Sequence, residues 1–336
     1  MFNNILNSHY IIQYIVFFAL PSFLCYISIA KYIKFSQEKS LFQPIRNSGP
    51  KSHLQNKQKT PTFGGLFIII AILITNLLFS YLTNIYLLST LFILISFAII
   101  GFIDDYIKVT KNNSFGFRGS IKLIIQFILV LFVIFYLGFN DSKFWSGEIA
   151  IAFSNISLNI GIFYFLFAAI VVVGSANATN LTDGLDGLVS IPIIFNSIAL
   201  IAIIFTLIES EIKEFQSLIL FGYSLIASVA AFFIFNRYPA KIFMGDVGSL
   251  AIGATLGIIA IIIKKELAFA IIALLFIIEA LSVIIQVGSY KIFKKRVFLM
   301  TPIHHHFEKM GWSEQKIVKL FWFISFITSI IGFLSV

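Results

Sequence analysis

The stretch YLLSTLFILISFAIIGFIDDYIK, residues 86–108, decides the fold. Residues 86–103 carry no charge and approach the roughly 20 residues that an α-helix needs to cross the hydrocarbon core of a bilayer. A barrel strand would be half as long and would alternate apolar with polar residues. The run then ends abruptly in Asp104 and Asp105. An aspartate at bilayer depth costs about 2.5–3.5 kcal/mol on insertion scales, so acids at the edge of a span point to an ion, proton or substrate site.

Apolar runs of this kind recur near 11–30, 64–82, 122–139, 160–176, 188–208, 216–235, 248–263, 267–290 and 319–335. Together with 86–103 they predict an all-α, polytopic integral membrane protein of about ten transmembrane helices. Composition agrees: 59% of residues are hydrophobic, only 12% are charged, and 40 of 336 are phenylalanine, too little polar surface for a water-soluble globule. No linker or clear internal repeat interrupts the chain, so residues 1–336 read as one membrane-embedded domain. The first 30 residues lack a basic n-region and a small-residue cleavage pattern, so the first span is expected to be retained. The lone Cys25 excludes a disulfide framework within the chain and reads as a small packing residue.

Ten spans place both termini on one side, and the basic residues decide which. The connections 31–62, 104–122, 236–247 and 291–319 hold 20 of the 24 Lys and Arg. By the positive-inside rule these connections, with 177–187, are cytoplasmic. Five of the six aspartates, in the islands Asp104-Asp105, Asp183-x-x-Asp186 and Asp246, therefore share the cytoplasmic side with His304, His305 and His306. The net charge of +9 is thus first a topological signal; a basic inner face also suits anionic lipid heads and a phosphorylated substrate, and nothing suggests nucleic acid.

Each island carries chemistry. Lys57-Gln-Lys-Thr-Pro-Thr-Phe-Gly-Gly65 opens a span with mobile positive charge, hydroxyl donors and a tight turn where backbone can approach a ligand; the plain alternative is a basic flank with a helix-start proline. If the helix continues past residue 103, Asp104 and Lys108 stand one turn apart and pair, while Asp105 points elsewhere. Adjacent carboxylates with a lysine suit a hard cation and phosphate oxygens, and either acid can serve as a base.

Asn177-Ala-Thr-Asn180-Leu-Thr-Asp183-Gly-Leu-Asp186-Gly187 is the strongest local signal. Asp183 and Asp186 at i,i+3 would share a helical face, with amides and hydroxyls of both hydrogen-bonding signs beside them. In the segment from Asn236 to Ser249, Asp246 is flanked by glycine and by Phe243, a ring suited to stacking on a nucleobase. Three consecutive histidines cannot all face one way on a helix, so the His-x-x-x-His zinc pattern is absent; imidazoles there suit sugar or phosphate. Glu279, in the middle of an apolar run, reads as a buried helix–helix partner before a catalytic group.

Hard-cation ligands, lysines and amides at one membrane edge fit phosphoryl transfer, where positioning and charge neutralisation do most of the work. No Walker loop or Rossmann glycine pattern is present. The segments Thr60-Pro-Thr-Phe-Gly-Gly65, Asp104-Asp-Tyr-Ile-Lys108, Asn177 to Gly187, Phe243-Met-Gly-Asp-Val-Gly-Ser249 and Lys295-Arg-Val-Phe-Leu-Met-Thr-Pro-Ile-His-His-His-Phe-Glu308 resemble, in order and spacing, the phospho-N-acetylmuramoyl-pentapeptide transferase family. The resemblance covers nearly the whole chain.

That resemblance implies transfer of phospho-MurNAc-pentapeptide from UDP-MurNAc-pentapeptide to undecaprenyl phosphate, giving lipid I and UMP, with Mg2+ as cofactor and a cytoplasm-facing cleft in the bacterial inner membrane. It implies that Asp246 ligates the metal and that Asp104 and Asp105 deprotonate or position the lipid phosphate with Lys108. Lys57, Thr62, Asn177, Asn180 and Asp183 would line the diphosphate region, Asp183 and His305 standing among the catalytic candidates. Asp186 and Phe243 would hold uridine, and Asn236 with His304, His305 and His306 would complete the cleft near the muramoyl group. A homodimer is an expectation of the family alone.

Lys59 and Phe63 replace the glycine and methionine usual in the family, and the basic segment after Lys108 differs, leaving Arg118 and Lys122 as nearby candidates. A related transferase acting on UDP-GlcNAc would share the acidic islands but not the histidine context. A cation-coupled transporter would carry its acids at the midplane of broken helices, not at one membrane face.

Overall fold

A computed structural model describes residues 8–39, 60–111, 116–207 and 214–336. Uncharged runs rich in Leu, Ile and Phe fold as helices, the conformation that satisfies every backbone group within one segment. In chain order these are α1 (Ser8–Lys39), α2 (Gly64–Phe79), α3 (Ile85–Thr110), α4 (Gly119–Asn140), α5 (Phe163–Thr182), α6 (Ser190–Thr206), α7 (Gln216–Asn236), α8 (Asp246–Ile262), α9 (Glu266–Ile272), α10 (Leu274–Phe293), α11 (Ile303–Lys309) and α12 (Glu314–Leu334). Among the described residues the only sheet is an antiparallel hairpin, β1 (Glu148–Ala150) with β2 (Ser157–Asn159).

Seven helices, α1, α3, α4, α5, α7, α10 and α12, are long and apolar enough to cross a membrane. The apolar helices α2, α6 and α8 are shorter, at 16, 17 and 17 residues. These ten correspond to the ten spans read from hydropathy, and the protein is an all-α, multi-pass membrane protein. Two boundaries differ in ways that matter. Helix α3 continues past Ile103 for two further turns, so Asp104, Asp105 and Lys108 are helical. The expected span 267–290 is broken at Ala273 into α9 and α10, which puts Glu279 in the second turn of a helix and not at the middle of one.

Helix α8 is the axis: every residue from Val247 to Ile262 is buried. It lies between α3 and α5, and small residues set the spacing. A Cβ on Gly101 of α3 would fall 2.2 Å from the Asp246 carbonyl oxygen. Gly253 of α8 faces Thr179 and Ser175 of α5, where Ser175 Oγ donates to the Gly253 carbonyl at 2.7 Å. At the start of α8, Gly248 meets the backbone of Gly65 on α2. Apolar side chains such as Phe23, Ile128, Phe132 and Ile284 point outward from the bundle, the face that lipid tails cover.

At the opposite end of α3 from the aspartates, about 27 Å away by helical rise, a polar knot closes the bundle. Tyr86 Oη donates toward Asp141 Oδ2 (2.8 Å) and Glu214 Oε1 (2.5 Å), and Lys143 Nζ pairs with Asp141 at 3.0 Å. Cys25 is buried on α1 with its thiol against the Ser228 carbonyl of α7 at 3.4 Å.

Candidate active site

The last turns of α3, the first turns of α4 and α8 and the end of α5 meet at one end of the bundle. Because α3 stays helical, Lys108 reaches back one turn to Asp104, with Nζ 2.5 Å from Oδ2. The same ammonium is 3.1 Å from Asp246 Oδ1 and 3.8 Å from Asp105 Oδ1. Asp105 therefore does not point away as its i+1 position suggested. Its Oδ2 accepts from the Val247 amide at 3.1 Å, filling one of the donors that the first turn of α8 leaves open. Oxygens of Asp104, Asp105 and Asp246 all lie within 4.8 Å of one another.

A second lysine completes the charge balance. Lys122, in the first turn of α4, places Nζ 2.8 Å from Asp246 Oδ2 and 3.7 Å from Asp104 Oδ1. Asn180 of α5 donates to Asp246 Oδ1 at 2.9 Å and to Ser249 Oγ at 2.8 Å. The Phe117 amide donates to Asp104 Oδ1 at 2.8 Å. Asp104 and Asp105 are buried, at 3% and 1% exposure, and these partners offset the cost of burying two carboxyl groups there.

The segment 60–65 forms the wall beside this cluster. Phe243 N donates to the Pro61 carbonyl and Phe243 O accepts from Gly64 N, both at 2.9 Å, so two motifs far apart in sequence lie strand-like against each other. Phe63 caps α2 at φ 73°, a left-handed conformation uncommon for a bulky residue, and its ring packs on Phe102 of α3 at 5.6 Å. Thr62 is buried with no hydrogen-bond partner for Oγ1 among the described residues, and a Cβ at Gly245 would meet both it and Asp105 Oδ2. Gly245 also holds φ 79°, a conformation that favours glycine.

The Asp183 and Asp186 pair does not share a helical face. Helix α5 ends at Thr182, and residues 183–189 turn, so the two acids diverge. Asp183 faces the cluster: burial, then the carboxylates of Asp246 and Asp105, hold its pKa well above the usual range, against the Gly245 amide that stabilises its anion. Asp186 turns the other way, where Oδ2 accepts from the Ala240 amide at 2.8 Å. Its own amide donates to Glu314 Oε1 at 2.7 Å.

Asn236 is buried and works inside the fold, accepting from Gly187 N (3.1 Å) and Ser190 Oγ (3.3 Å) and donating to the Ile242 carbonyl (3.0 Å). Asn177 donates to Gln126 Oε1 and to the Val173 carbonyl, both at 2.8 Å, which joins α5 to α4. The three histidines point three ways. His304 is fully buried against Glu279 (Nδ1 to Oε1, 3.0 Å), His305 Nδ1 meets Glu308 Oε2 at 2.6 Å, and His306 Nδ1 accepts from the Leu299 amide at 3.2 Å. Lys57 and Lys59 lie outside the described residues, and Arg118 is exposed.

Thus Asp104, Asp105, Lys108, Asp183, Asn180, Thr62 and Asp246 come together, while Asp186 and Asn236 hold neighbouring loops. Sequence reasoning named Lys122 only as a nearby candidate and passed over Gln126 and Ser249. A lysine in the first turn of a span was the signal for Lys122. Three buried hard-oxygen donors with Asp105 Oδ1 lacking a hydrogen-bond partner among the described residues suit a divalent cation of magnesium type.

A sequence profile of glycosyl transferase family 4 matches residues 86–264. The chain is 47% identical over 324 residues to the phospho-N-acetylmuramoyl-pentapeptide-transferase of Rickettsia felis, covering 94% of this chain and 89% of that one. It is 49% identical over 304 residues to the enzyme of the same name in Rickettsia canadensis, with 87% and 84% coverage. The counterpart in Rickettsia montanensis is 46% identical over 324 residues, again with 94% and 89% covered.

Proposed function

Because this chain belongs to the phospho-N-acetylmuramoyl-pentapeptide-transferase family, we propose that the Asp104, Asp105 and Asp246 cluster is where it performs that transfer. The protein is a transferase of peptidoglycan synthesis, acting on a nucleotide sugar and a lipid carrier in the membrane. In the finer reading UDP-MurNAc-pentapeptide is the donor and undecaprenyl phosphate the acceptor, and the products are lipid I and UMP. The observation that supports this site is the convergence of three carboxylates and two lysines from α3, α4 and α8 within direct contact of one another.

An oxygen of the lipid phosphate attacks the phosphorus that bears the sugar; a new P–O bond forms, and the bond to UMP breaks with its electron pair leaving on UMP. Asp104 or Asp105, through whichever oxygen the metal leaves free, receives any proton left on the lipid phosphate. Lys108 and Lys122, now shared among the aspartates, turn part of their charge onto the phosphates as these enter, where preorganised cations act most strongly on developing charge. Magnesium held by Asp246 with Asp104 and Asp105 would neutralise the diphosphate and act as a Lewis acid. Asn180 keeps Asp246 oriented.

The cluster faces the cytoplasm of the inner membrane in this account, since the sequence puts 20 of the 24 Lys and Arg in the connections 31–62, 104–122, 236–247 and 291–319, which the positive-inside rule assigns to that side. The test is UMP release by purified protein in detergent with undecaprenyl phosphate, comparing UDP-MurNAc-pentapeptide with UDP-GlcNAc. Turnover of the muramoyl donor alone is expected. Turnover of UDP-GlcNAc instead would overturn the substrate assignment.

A further inference from the structure

Glu279 and His304 form a pair with no exposure on either side chain, Oε1 to Nδ1 at 3.0 Å. Neither His304 Nε2 nor Glu279 Oε2 has a hydrogen-bond partner among the described residues. The far edge of the imidazole lies against Gly184, where an added Cβ would stand 2.3 Å from Nε2 and 2.8 Å from Cε1. The hydrogen bond between them thus fixes a ring that abuts the backbone next to Asp183. An isolated carboxyl buried in a bundle is costly, and among the described residues its side chain bonds to the ring that braces this turn.

We infer that Glu279 is a positioning residue: through His304 it holds the Asp183 to Gly187 turn, and so sets the affinity of the site for the nucleotide half of the substrate. Three elements that are remote in sequence meet at this point, α10 through Glu279, α11 through His304, and the turn after α5 through Gly184. His305 packs edge-on against His304, with the ring centroids 4.1 Å apart. Among the described residues neither Lys108 nor Lys122 pairs with Glu279 or His304, so the pair acts on the lipid-phosphate end of the site only through the turn that carries Asp183. The inference rests on the proposed site, in which Asp183 and Asp186 serve the nucleotide sugar.

The experiment measures KM for UDP-MurNAc-pentapeptide and for undecaprenyl phosphate, with thermal unfolding in detergent, in the parent and in Glu279→Ala, Glu279→Gln, Gly184→Ala and Asp183→Asn. Glu279→Ala is expected to raise KM for the nucleotide sugar about tenfold, the size of a lost buried hydrogen bond. KM for the lipid phosphate stays put, and kcat falls by less than KM rises. Glu279→Gln keeps an acceptor for Nδ1–H and recovers most of the loss. Should Glu279→Ala fail to fold, Gly184→Ala tests the contact between ring and turn, because its methyl group would stand 2.3 Å from Nε2 and force the two apart.

Equal changes in both KM values, no change in either, or a Gln variant as impaired as the Ala variant would overturn the inference. Asp183→Asn separates the two levels. If it leaves the nucleotide-sugar KM unchanged, the site assignment itself fails; if it raises that KM while Glu279→Ala and Gly184→Ala do not, only the positioning role fails.

Discussion

Lys122 Nζ stands 2.8 Å from Asp246 Oδ2, so the first turn of α4 and the first residue of α8 share one ion pair at the centre of the acidic cluster. Asp246 takes a second lysine, Lys108, on its other oxygen at 3.1 Å. A carboxylate held between two cations and an asparagine amide is rigid, and the cations are already in place for phosphate.

Lys122→Met removes one of those cations while keeping the length of the side chain. A preorganised charge at a transferring phosphoryl group is worth roughly 100- to 1,000-fold in kcat, so kcat should fall by that order with folding intact. Steady-state UMP release checks it, and a variant within threefold of the parent contradicts the role.

Gly101→Ala inserts a methyl group where an added Cβ lies 2.2 Å from the Asp246 carbonyl oxygen. Overpacking costs about 1–3 kcal/mol, and α3 must move relative to α8 to relieve it. Both thermal stability and activity should fall, since the same crossing carries Asp104, Asp105 and Asp246. An unchanged melting temperature in detergent would contradict the close crossing.

Asn236→Ala strips the acceptor from Gly187 N and the donor from the Ile242 carbonyl. Unsatisfied buried backbone groups cost about 1–3 kcal/mol each. The variant should be strongly destabilised, and the loss of activity should track the loss of folded protein in a combined unfolding and turnover measurement.

Asp141, in the polar knot at the other end of the bundle, has its pKa lowered: burial acts to raise it, but bonds from the Lys143 ammonium and amide and from Tyr86 Oη outweigh that. An acid with a folded-state pKa below its unfolded value contributes stability above the unfolded pKa and loses it as pH falls through the folded one. The parent should therefore lose stability on acidification below the ordinary carboxylate range, and Asp141→Asn should show a shallower acid slope. Melting temperatures between about pH 2 and 5 decide it, parallel slopes being the contrary result.

Much of this was legible in the sequence because hydropathy and charge act locally. The span 86–103 and the acids that end it were read from one stretch, and helical continuation gave the Asp104 to Lys108 pair. Asp105 was misjudged because its partner, the Val247 amide, lies 142 residues away and no local pattern announces it. The Asp183 and Asp186 spacing suggested a common face, but the helix stops at Thr182, followed by two glycines within five residues. The break at Ala273 leaves no mark in the sequence, since alanine is the best helix former and no Gly or Pro lies between Leu267 and Val287. Lys122 carried only its cost: a lysine just inside an apolar run needs a partner, and the partner lay on α8.

The most direct measurement is UMP release over a range of Mg2+ concentrations by the parent and by Asp246→Asn and Asp105→Asn, in detergent with undecaprenyl phosphate and UDP-MurNAc-pentapeptide. The account predicts Mg2+-dependent turnover in the parent, a loss of about 1,000-fold or more in Asp246→Asn and a raised Mg2+ requirement in Asp105→Asn. Turnover by Asp246→Asn close to that of the parent, with the same Mg2+ dependence, would place the reaction elsewhere in the molecule.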